Sequence, residues 1–223
     1  MGKSSAFLGT VTVVAVALLV IFGIVSLPDR TERTDPQPTD SPTETSLVPR
    51  SDFGNPTLGP NGAEISVFVF GDYQCIACAQ VEPNLIEAIT AYPDRIRLVW
   101  KDLPDTRIHP DAMNAAVAAR CAGEQGDFWR YHDLLMANQT SLDESNFLLF
   151  AGEDGLDVER FGSCYSGRLT EPLVRRDVDE ALSLGIDATP YLFVGNTRLS
   201  GVVSVERLRT TIDLELARGG FRQ

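Results

Sequence analysis

Apolar residues recur along this chain at two spacings, which predict alternating strands and helices. The run from Glu64 to Phe70 is rich in β-branched and aromatic residues and is short enough for a buried strand. Gly71 and Asp72 interrupt it, and apolar residues then recur at helical spacing from Ile76 to about Ala91. A second strand is expected from Arg95 to Trp100. The folded part therefore begins with a strand, a helix and a strand.

The region from about residue 105 to 186 predicts helices only. Pro110 is well placed to open the first of them and Gly123 to end it, while Gly185 ends the last. Ser141 and Glu144 fit an S-x-x-E capping box at the start of another helix. Further helical segments are expected at Phe128 to Met136, Val158 to Phe161 and Leu173 to Leu182.

Strand signals return near the carboxyl end of the chain. Tyr191 to Val194 and Arg198 to Val203 read as two strands joined by a turn at Gly195-Asn196. A last amphipathic helix is expected from Val205 to Leu216. The complete order predicts an α/β sheet domain that is interrupted by a helical insertion.

The amino terminus contains an uncharged apolar run from Ala6 to Leu27, preceded by a short flank at residues 1–5. The run is long enough to cross a bilayer core of about 30 Å as a helix. It exceeds the roughly 7 to 15 apolar residues of a secretory signal, and no clear A-x-A cleavage site follows. We therefore expect a single-pass transmembrane anchor, with a cleaved signal as the alternative.

Residues 28–56 are dominated by Pro, Thr, Ser and Asp and show no apolar periodicity. This composition predicts a solvated, disordered linker. The folded domain is then expected at residues 57–223, which is ample for a single hydrophobic core. The net charge of the whole chain is -12, which argues against nucleic acid as a partner because phosphate binding needs a basic surface.

The motif Cys75-Ile76-Ala77-Cys78 stands between the first strand and the helix after it. At a helix amino terminus the macrodipole and the unpaired N–H groups favour a thiolate, which is the reactive form of cysteine. Cys78 follows one turn later, where it can attack a mixed disulfide formed by Cys75. The motif therefore predicts redox chemistry, although zinc sites and pairs of buried structural thiols share its spacing.

The remaining cysteines and histidines weigh against a metal site. Cys121 and Cys164 are far apart in sequence, whereas four-cysteine zinc sites usually combine two close pairs. His109 and His132 are isolated and are interpreted as structural. We expect no bound metal and no cofactor.

Three segments, F-G-D-Y-Q-C-I-A-C at 70–78, C-A-G-E-Q-G-D-F-W-R-Y-H-D-L-L at 121–135 and G-I-D-A-T-P-Y-L-F-V-G-N at 185–196, resemble the DsbA-like thioredoxin-fold oxidoreductases. The resemblance covers nearly all of residues 57–223. It implies a thioredoxin-like fold with an inserted helical subdomain, with Cys75 as the nucleophile and Cys78 as the resolving thiol. It also implies that Thr189-Pro190 forms a cis-proline loop at the site.

The same resemblance bears on the other two cysteines. Some members of the family carry a second disulfide in the helical insertion, and disulfides persist outside the cytosol. We therefore expect a structural disulfide between Cys121 and Cys164, with two separate core thiols as the alternative for a cytosolic protein.

The dipeptide Ile76-Ala77 departs from the strongly oxidising members of the family, which have a histidine between the two cysteines. Neither side chain can donate a hydrogen bond to the Cys75 thiolate. Weaker stabilisation of the thiolate makes the disulfide less oxidising. We therefore predict a weaker oxidant than those members.

The resemblance and the apolar amino terminus together predict a membrane-tethered, extracytoplasmic thiol-disulfide oxidoreductase. Its Cys75–Cys78 disulfide would be donated to cysteine-containing substrate proteins through a mixed disulfide on Cys75. A quinone-linked membrane partner would reoxidise it, as the resemblance implies. The alternatives are a reductase or isomerase that uses the same cysteines, and a non-catalytic peptide-binding module.

Overall fold

The computed structural model describes residues 48–219, and within them a mixed sheet forms the centre of the domain. Its five strands are β1 (Thr57–Leu58), β2 (Ile65–Gly71), β3 (Ile96–Asp102), β4 (Tyr191–Val194) and β5 (Thr197–Ser200). The strands lie in the order β1-β3-β2-β4-β5. The pair β2 and β3 is parallel, and the other neighbouring pairs are antiparallel.

Helices cover both faces of this sheet. They are α1 (Ile76–Thr90), α2 (Ala112–Gly123), α3 (Phe128–Ala137), α4 (Glu144–Glu153), α5 (Val158–Ser166), α6 (Glu171–Ser183) and α7 (Val205–Ala217). Helices α2 to α6 all lie between β3 and β4 in the chain, so the predicted thioredoxin-like α/β fold with a helical insertion is confirmed.

Strand β2 is buried along its whole length, which explains its nearly continuous apolar sequence. Val67 and Val69 pack in the larger core, together with side chains of α1, α7 and the inserted helices. Phe68 and Phe70 point to the other face and pack in a smaller core with Ala181 of α6. The alternation of side chains along one strand thus supplies two hydrophobic cores.

The inserted helices are joined by a disulfide between Cys121 on α2 and Cys164 on α5, with an S–S distance of 2.03 Å. Cys121 lies on a helix whose alanines are all buried, so α2 forms the centre of the insertion. The bond joins two helices through cysteines that are 43 residues apart in sequence.

The folded domain begins earlier than the sequence pattern indicates. Residues 48–56 were expected to belong to the linker, but Val48 packs against the smaller core and Asn55 reaches a buried group of charged side chains. The guanidinium of Arg120 donates a 2.5 Å hydrogen bond to the carbonyl oxygen of Gly54. Polar residues of segment 48–56 form hydrogen bonds with the domain, and the composition of the segment does not predict these contacts.

The predicted membrane span at 6–27 and most of the predicted linker lie outside the described residues. Within residues 48–219, no helix combines the length and apolar character that a membrane crossing requires.

The expected capping box at Ser141 and Glu144 is wrong. Asp143 is the residue that caps α4, because its side chain accepts a 3.0 Å hydrogen bond from the backbone N–H of Asn146. The strand ends also differ: β3 continues through Lys101 to Asp102, and β5 stops at Ser200.

Candidate active site

The first cysteine of the motif occupies the amino-terminal cap of α1. Cys75 has an extended backbone, and its carbonyl oxygen accepts hydrogen bonds from the N–H groups of Cys78 at 3.0 Å and Ala79 at 3.3 Å. Its own N–H donates to the carbonyl oxygen of Asp72 at 3.1 Å. The sulfur therefore lies at the positive end of the helix, where negative charge is stabilised.

The two thiols differ in exposure. Both cysteines are free thiols, so the structure represents the reduced form. Cys75 retains 7% of its surface, whereas Cys78 retains 1%. A molecule approaching from solvent therefore reaches the sulfur of Cys75 before that of Cys78.

A loop distant in sequence lies against Cys75. Sγ of Cys75 lies 3.5 Å from the carbonyl oxygen of Thr189, to which the protonated thiol donates a hydrogen bond. The peptide bond between Thr189 and Pro190 is cis. The structure thus brings together the four residues that the resemblance placed at one site, Cys75, Cys78, Thr189 and Pro190.

The environment of the two sulfurs separates their acidities. The pKa of Cys75 is lowered to about 6, and the largest cause is the hydrogen bond from the Cys78 thiol. Burial opposes this effect, hydrogen bonds from the Thr189 side chain and the Cys78 backbone contribute to it, and the charge of Asp72 opposes it. The pKa of Cys78 is raised by its hydrogen bond to Cys75 and by burial. At neutral pH Cys75 is therefore the thiolate and Cys78 keeps its proton.

The side chains of Ile76 and Ala77, between the two cysteines, do not stabilise the Cys75 thiolate. Ile76 is 70% exposed and Ala77 is half-buried, and neither has a polar side-chain atom. A Cys75 pKa of about 6 is well above the value of about 3.5 found in the strongest oxidant of this kind. It is also well below the value of about 8.5 for a free cysteine.

A groove of about 460 Å³ opens beside Cys75 and Thr189. Its apolar wall is formed by side chains of the loop after β3, of α6 and of the segment before Thr189, which are Leu103, Ile108, Val178, Leu182 and Ile186. Ile108 and Leu182 are largely exposed. The groove also contains charged and ionisable residues, namely Asp105, Arg107, His109 and Asp187.

Asp72 connects the active-site turn to this groove. One oxygen of its buried carboxylate accepts a 2.7 Å hydrogen bond from the N–H of Gln74. The other oxygen lies 2.8 Å from the N–H of Asp105 and 2.8 Å from Nδ1 of His109. His109 was expected to be structural, and the sequence did not indicate that it lies at the edge of the site.

His132 fits the structural interpretation. Its ring is completely buried, and Nδ1 lies 2.9 Å from the hydroxyl of Tyr73. The indole of Trp100 meets the imidazole edge to face, with 4.5 Å between the ring centres. This cluster supports the active-site turn from below, because Tyr73 is two residues before Cys75.

A buried group of charged side chains lies at the end of β3, next to the site, and the sequence did not predict it. Asp177 accepts hydrogen bonds from Arg120 at 2.5 Å and from the backbone N–H of Asp102 at 3.2 Å. Lys101 is also fully buried and lies 2.6 Å from Glu180 and 3.5 Å from Asp177. These partners come from three separate elements, so no local sequence pattern marks them.

A thioredoxin-like sheet, a cysteine pair at the start of α1 and an adjacent cis-proline loop define a class of thiol-disulfide oxidoreductase. A family model described as thioredoxin matches residues 52–214. The chain belongs to this family.

Two solved structures are similar to this one. A thioredoxin-like oxidoreductase from Silicibacter pomeroyi is 26% identical with a TM-score of 0.68, and the match covers 74% of this chain and 94% of that one. The oxidised form of BdbD from Bacillus subtilis is 21% identical with a TM-score of 0.65, over the same shares of the two chains. The second likeness shows the fold alone.

One relative found by sequence is named as an ion antiporter and not as an oxidoreductase. The Na(+)/H(+) antiporter NhaA 1 of Salinispora arenicola is 37% identical over 166 residues, which are 74% of this chain and 25% of the antiporter. The chain thus spans about a quarter of the length of the first curated relatives that it matches.

Proposed function

We propose that this protein is an extracytoplasmic thiol-disulfide oxidoreductase that donates a Cys75–Cys78 disulfide to cysteine-containing proteins. The observation that carries the proposal is the arrangement of the two sulfurs. Cys75 has a lowered pKa and lies beside Thr189, while Cys78 is buried one helical turn further on and holds its proton.

The first step begins with the oxidised pair. A substrate thiolate attacks Sγ of Cys75, a mixed disulfide forms, and the Cys75–Cys78 bond breaks. The electron pair of that bond passes to Cys78, which takes up a proton. Attack at Cys75 is favoured because Cys78 is almost completely buried.

In the second step another thiolate of the substrate attacks the substrate sulfur of the mixed disulfide. A disulfide forms in the substrate, and Cys75 leaves as a thiolate. A thiol of lower pKa is a better leaving group, so the Cys75 pKa of about 6 favours this release. The substrate loses two electrons and two protons, and the protein ends as the dithiol.

Repeated turnover needs an oxidant for Cys75 and Cys78, and we propose a quinone-linked membrane partner. A membrane setting is supported by the apolar run at 6–27, which has the length of a single-pass anchor. It is also consistent with curated relatives named as antiporters, of which this chain resembles one part. The catalytic domain would then lie on the extracytoplasmic side of the membrane.

The redox potential of the Cys75–Cys78 couple tests the direction of exchange. The protein would be equilibrated with glutathione buffers, and the fraction reduced would be measured by alkylation and mass spectrometry. A potential of about -120 to -180 mV supports donation of disulfides. A potential near -270 mV would instead indicate a reductase supplied with electrons.

A Cys75→Ser variant separates catalysis from binding. Loss of disulfide formation in a reduced substrate protein supports a catalytic role for Cys75. Full activity of the variant would contradict the proposal and favour a peptide-binding module. A Cys121→Ser, Cys164→Ser double variant is the matched control, because it also lacks a cysteine pair but is predicted to keep the exchange reaction.

A further inference from the structure

The inserted helical block contacts the active-site turn through the side chain of Gln139. This residue follows the end of α3, and its Nε2 lies 2.9 Å from the carbonyl oxygen of Tyr73 and 3.0 Å from that of Cys75. Both partners are hydrogen-bond acceptors, so the NH₂ end of the amide must face them. A single side chain from the insertion thus binds the backbone on both sides of Gln74.

Other residues of the insertion hold the same turn through its side chains. The Tyr73 hydroxyl lies 2.9 Å from Nδ1 of His132. The Gln74 side chain accepts a 2.7 Å hydrogen bond from the N–H of Asp111. Gln139 differs from these because it binds the carbonyl group of the reacting cysteine itself.

We propose that Gln139 is a positioning residue for thiol-disulfide exchange at Cys75. The inference rests on the proposed function, in which Cys75 is the sulfur that forms the mixed disulfide. The two hydrogen bonds, to the carbonyl groups of Tyr73 and Cys75, fix the cap residue of α1. They thereby fix the placement of the Cys75 sulfur against Cys78 and Thr189.

The Gln139 amide also has an electrostatic effect. Its NH₂ group is the positive end of a dipole directed at the cap residue of α1, where it adds to the field of the helix amino terminus. This field favours the Cys75 thiolate. It acts against the negative charge of Asp72, which raises the Cys75 pKa. Gln139 therefore assists the step in which Cys75 leaves the mixed disulfide as a thiolate.

Two variants of the full-length chain separate the contributions of shape and of donor groups. Gln139→Met keeps the length of the side chain and removes its donors, while Gln139→Arg retains N–H donors. Gln80→Met is the matched control, because Gln80 lies on α1 with its side chain exposed. The Cys75 pKa would be measured from thiolate absorbance. The release of Cys75 from a mixed disulfide with a small thiol would be measured with dithiothreitol in a Cys78→Ala background, in which Cys78 cannot resolve the mixed disulfide first.

We expect Gln139→Met to raise the Cys75 pKa by about half a unit and to slow release about twofold. Gln139→Arg should keep the wild-type pKa or lower it, and Gln80→Met should change neither quantity. An unchanged pKa in Gln139→Met would overturn the proposal. If Gln139→Met fails to fold, the test rests on Gln139→Arg alone. A raised Cys75 pKa in Gln139→Arg would overturn the proposal.

These results do not depend on the direction of exchange. A wild-type protein that forms no mixed disulfide with any thiol would refute the proposed function. The pKa comparison would still report whether Gln139 acts on Cys75.

Discussion

The indole ring of Trp100 occupies the space in which a side chain on Gly71 would lie. A Cβ built on Gly71 would be 2.1 Å from Cη2 of that ring. The two residues are on the neighbouring parallel strands β2 and β3, and Gly71 is the last residue before the active-site turn. The close approach of backbone and ring allows the buried indole to reach beneath Tyr73 and His132.

Gly71→Ala is therefore expected to destabilise the domain by about 3 kcal/mol, because the buried indole must move to admit a methyl group. Gly62→Ala is the control, since a Cβ there meets nothing within 4 Å. Chemical denaturation measures both changes. Equal stabilities of the two variants would show that the ring at Trp100 shifts without cost.

The acidity of Cys75 depends first on the thiol of Cys78. A Cys78→Ala variant removes that hydrogen bond, so we predict that the pKa of Cys75 rises by about one to two units from its value of about 6. The pH profile of alkylation by iodoacetamide, followed by mass spectrometry, gives the midpoint. The double cysteine variant at 121 and 164 should retain the wild-type profile. A midpoint that stays near 6 in Cys78→Ala would assign the lowered pKa to the helix and to Thr189 instead.

The stability of the reduced form should depend on pH in a defined window. The Cys75 pKa is lowered, so ionisation of Cys75 favours the folded state, and this contribution is lost as the pH falls through about 6. It is complete above the unfolded value of about 8.5. The Cys78 pKa is raised in the folded state, so above about pH 8.5 Cys78 ionises more readily in the unfolded chain. The stability of the reduced form therefore decreases again above that pH.

We therefore expect the free energy of unfolding of the reduced form, relative to the oxidised form, to increase between about pH 6 and 8.5 by about 3 kcal/mol. Groups other than Cys75 and Cys78 titrate in both forms and largely cancel in the comparison. Guanidinium unfolding of the two forms at a series of pH values measures the difference. A difference that falls over this range would contradict the assignment of the thiolate to Cys75.

The buried charges at the end of β3 should be sensitive to the loss of one partner. Asp177→Ala leaves Arg120 and Lys101 without their shared carboxylate, and breaking a buried ion pair in this way costs about 3–5 kcal/mol. Asp179→Ala, on the exposed face of the same helix, should change the stability by less than about 0.5 kcal/mol. Similar urea midpoints for the two variants would show that the cluster contributes little to the fold.

The elements that the sequence predicts best are those whose ends are marked by the chain itself. The strand Tyr191–Val194 has the predicted bounds, because Pro190 precedes it and a glycine turn follows it. The helix that starts at Ile76 ends at Thr90, within one residue of the prediction. Strand β1 has only two residues, which is too short to show any period, and it was missed.

The parts of the site that escaped prediction are formed by tertiary contacts. Asn55 and Asp177 are 122 residues apart, and nothing near either residue indicates that they meet. Gln139 lies in a helix–loop junction and has no motif of its own. Thr189 was placed at the site through the family resemblance, because spacing alone could not relate it to a cysteine 114 residues away.

In the proposed exchange reaction, the near-complete burial of Cys78 behind Cys75 restricts which substrate thiols can react. Because Cys75 exposes only a small part of its surface in a turn flanked by Thr189, a partner sulfur must protrude far enough to approach along one face. Cysteines buried inside a folded protein cannot do so, whereas cysteines in an unfolded chain can. We therefore expect the protein to react preferentially with substrates that are not yet folded. The residues around the substrate cysteine should matter less.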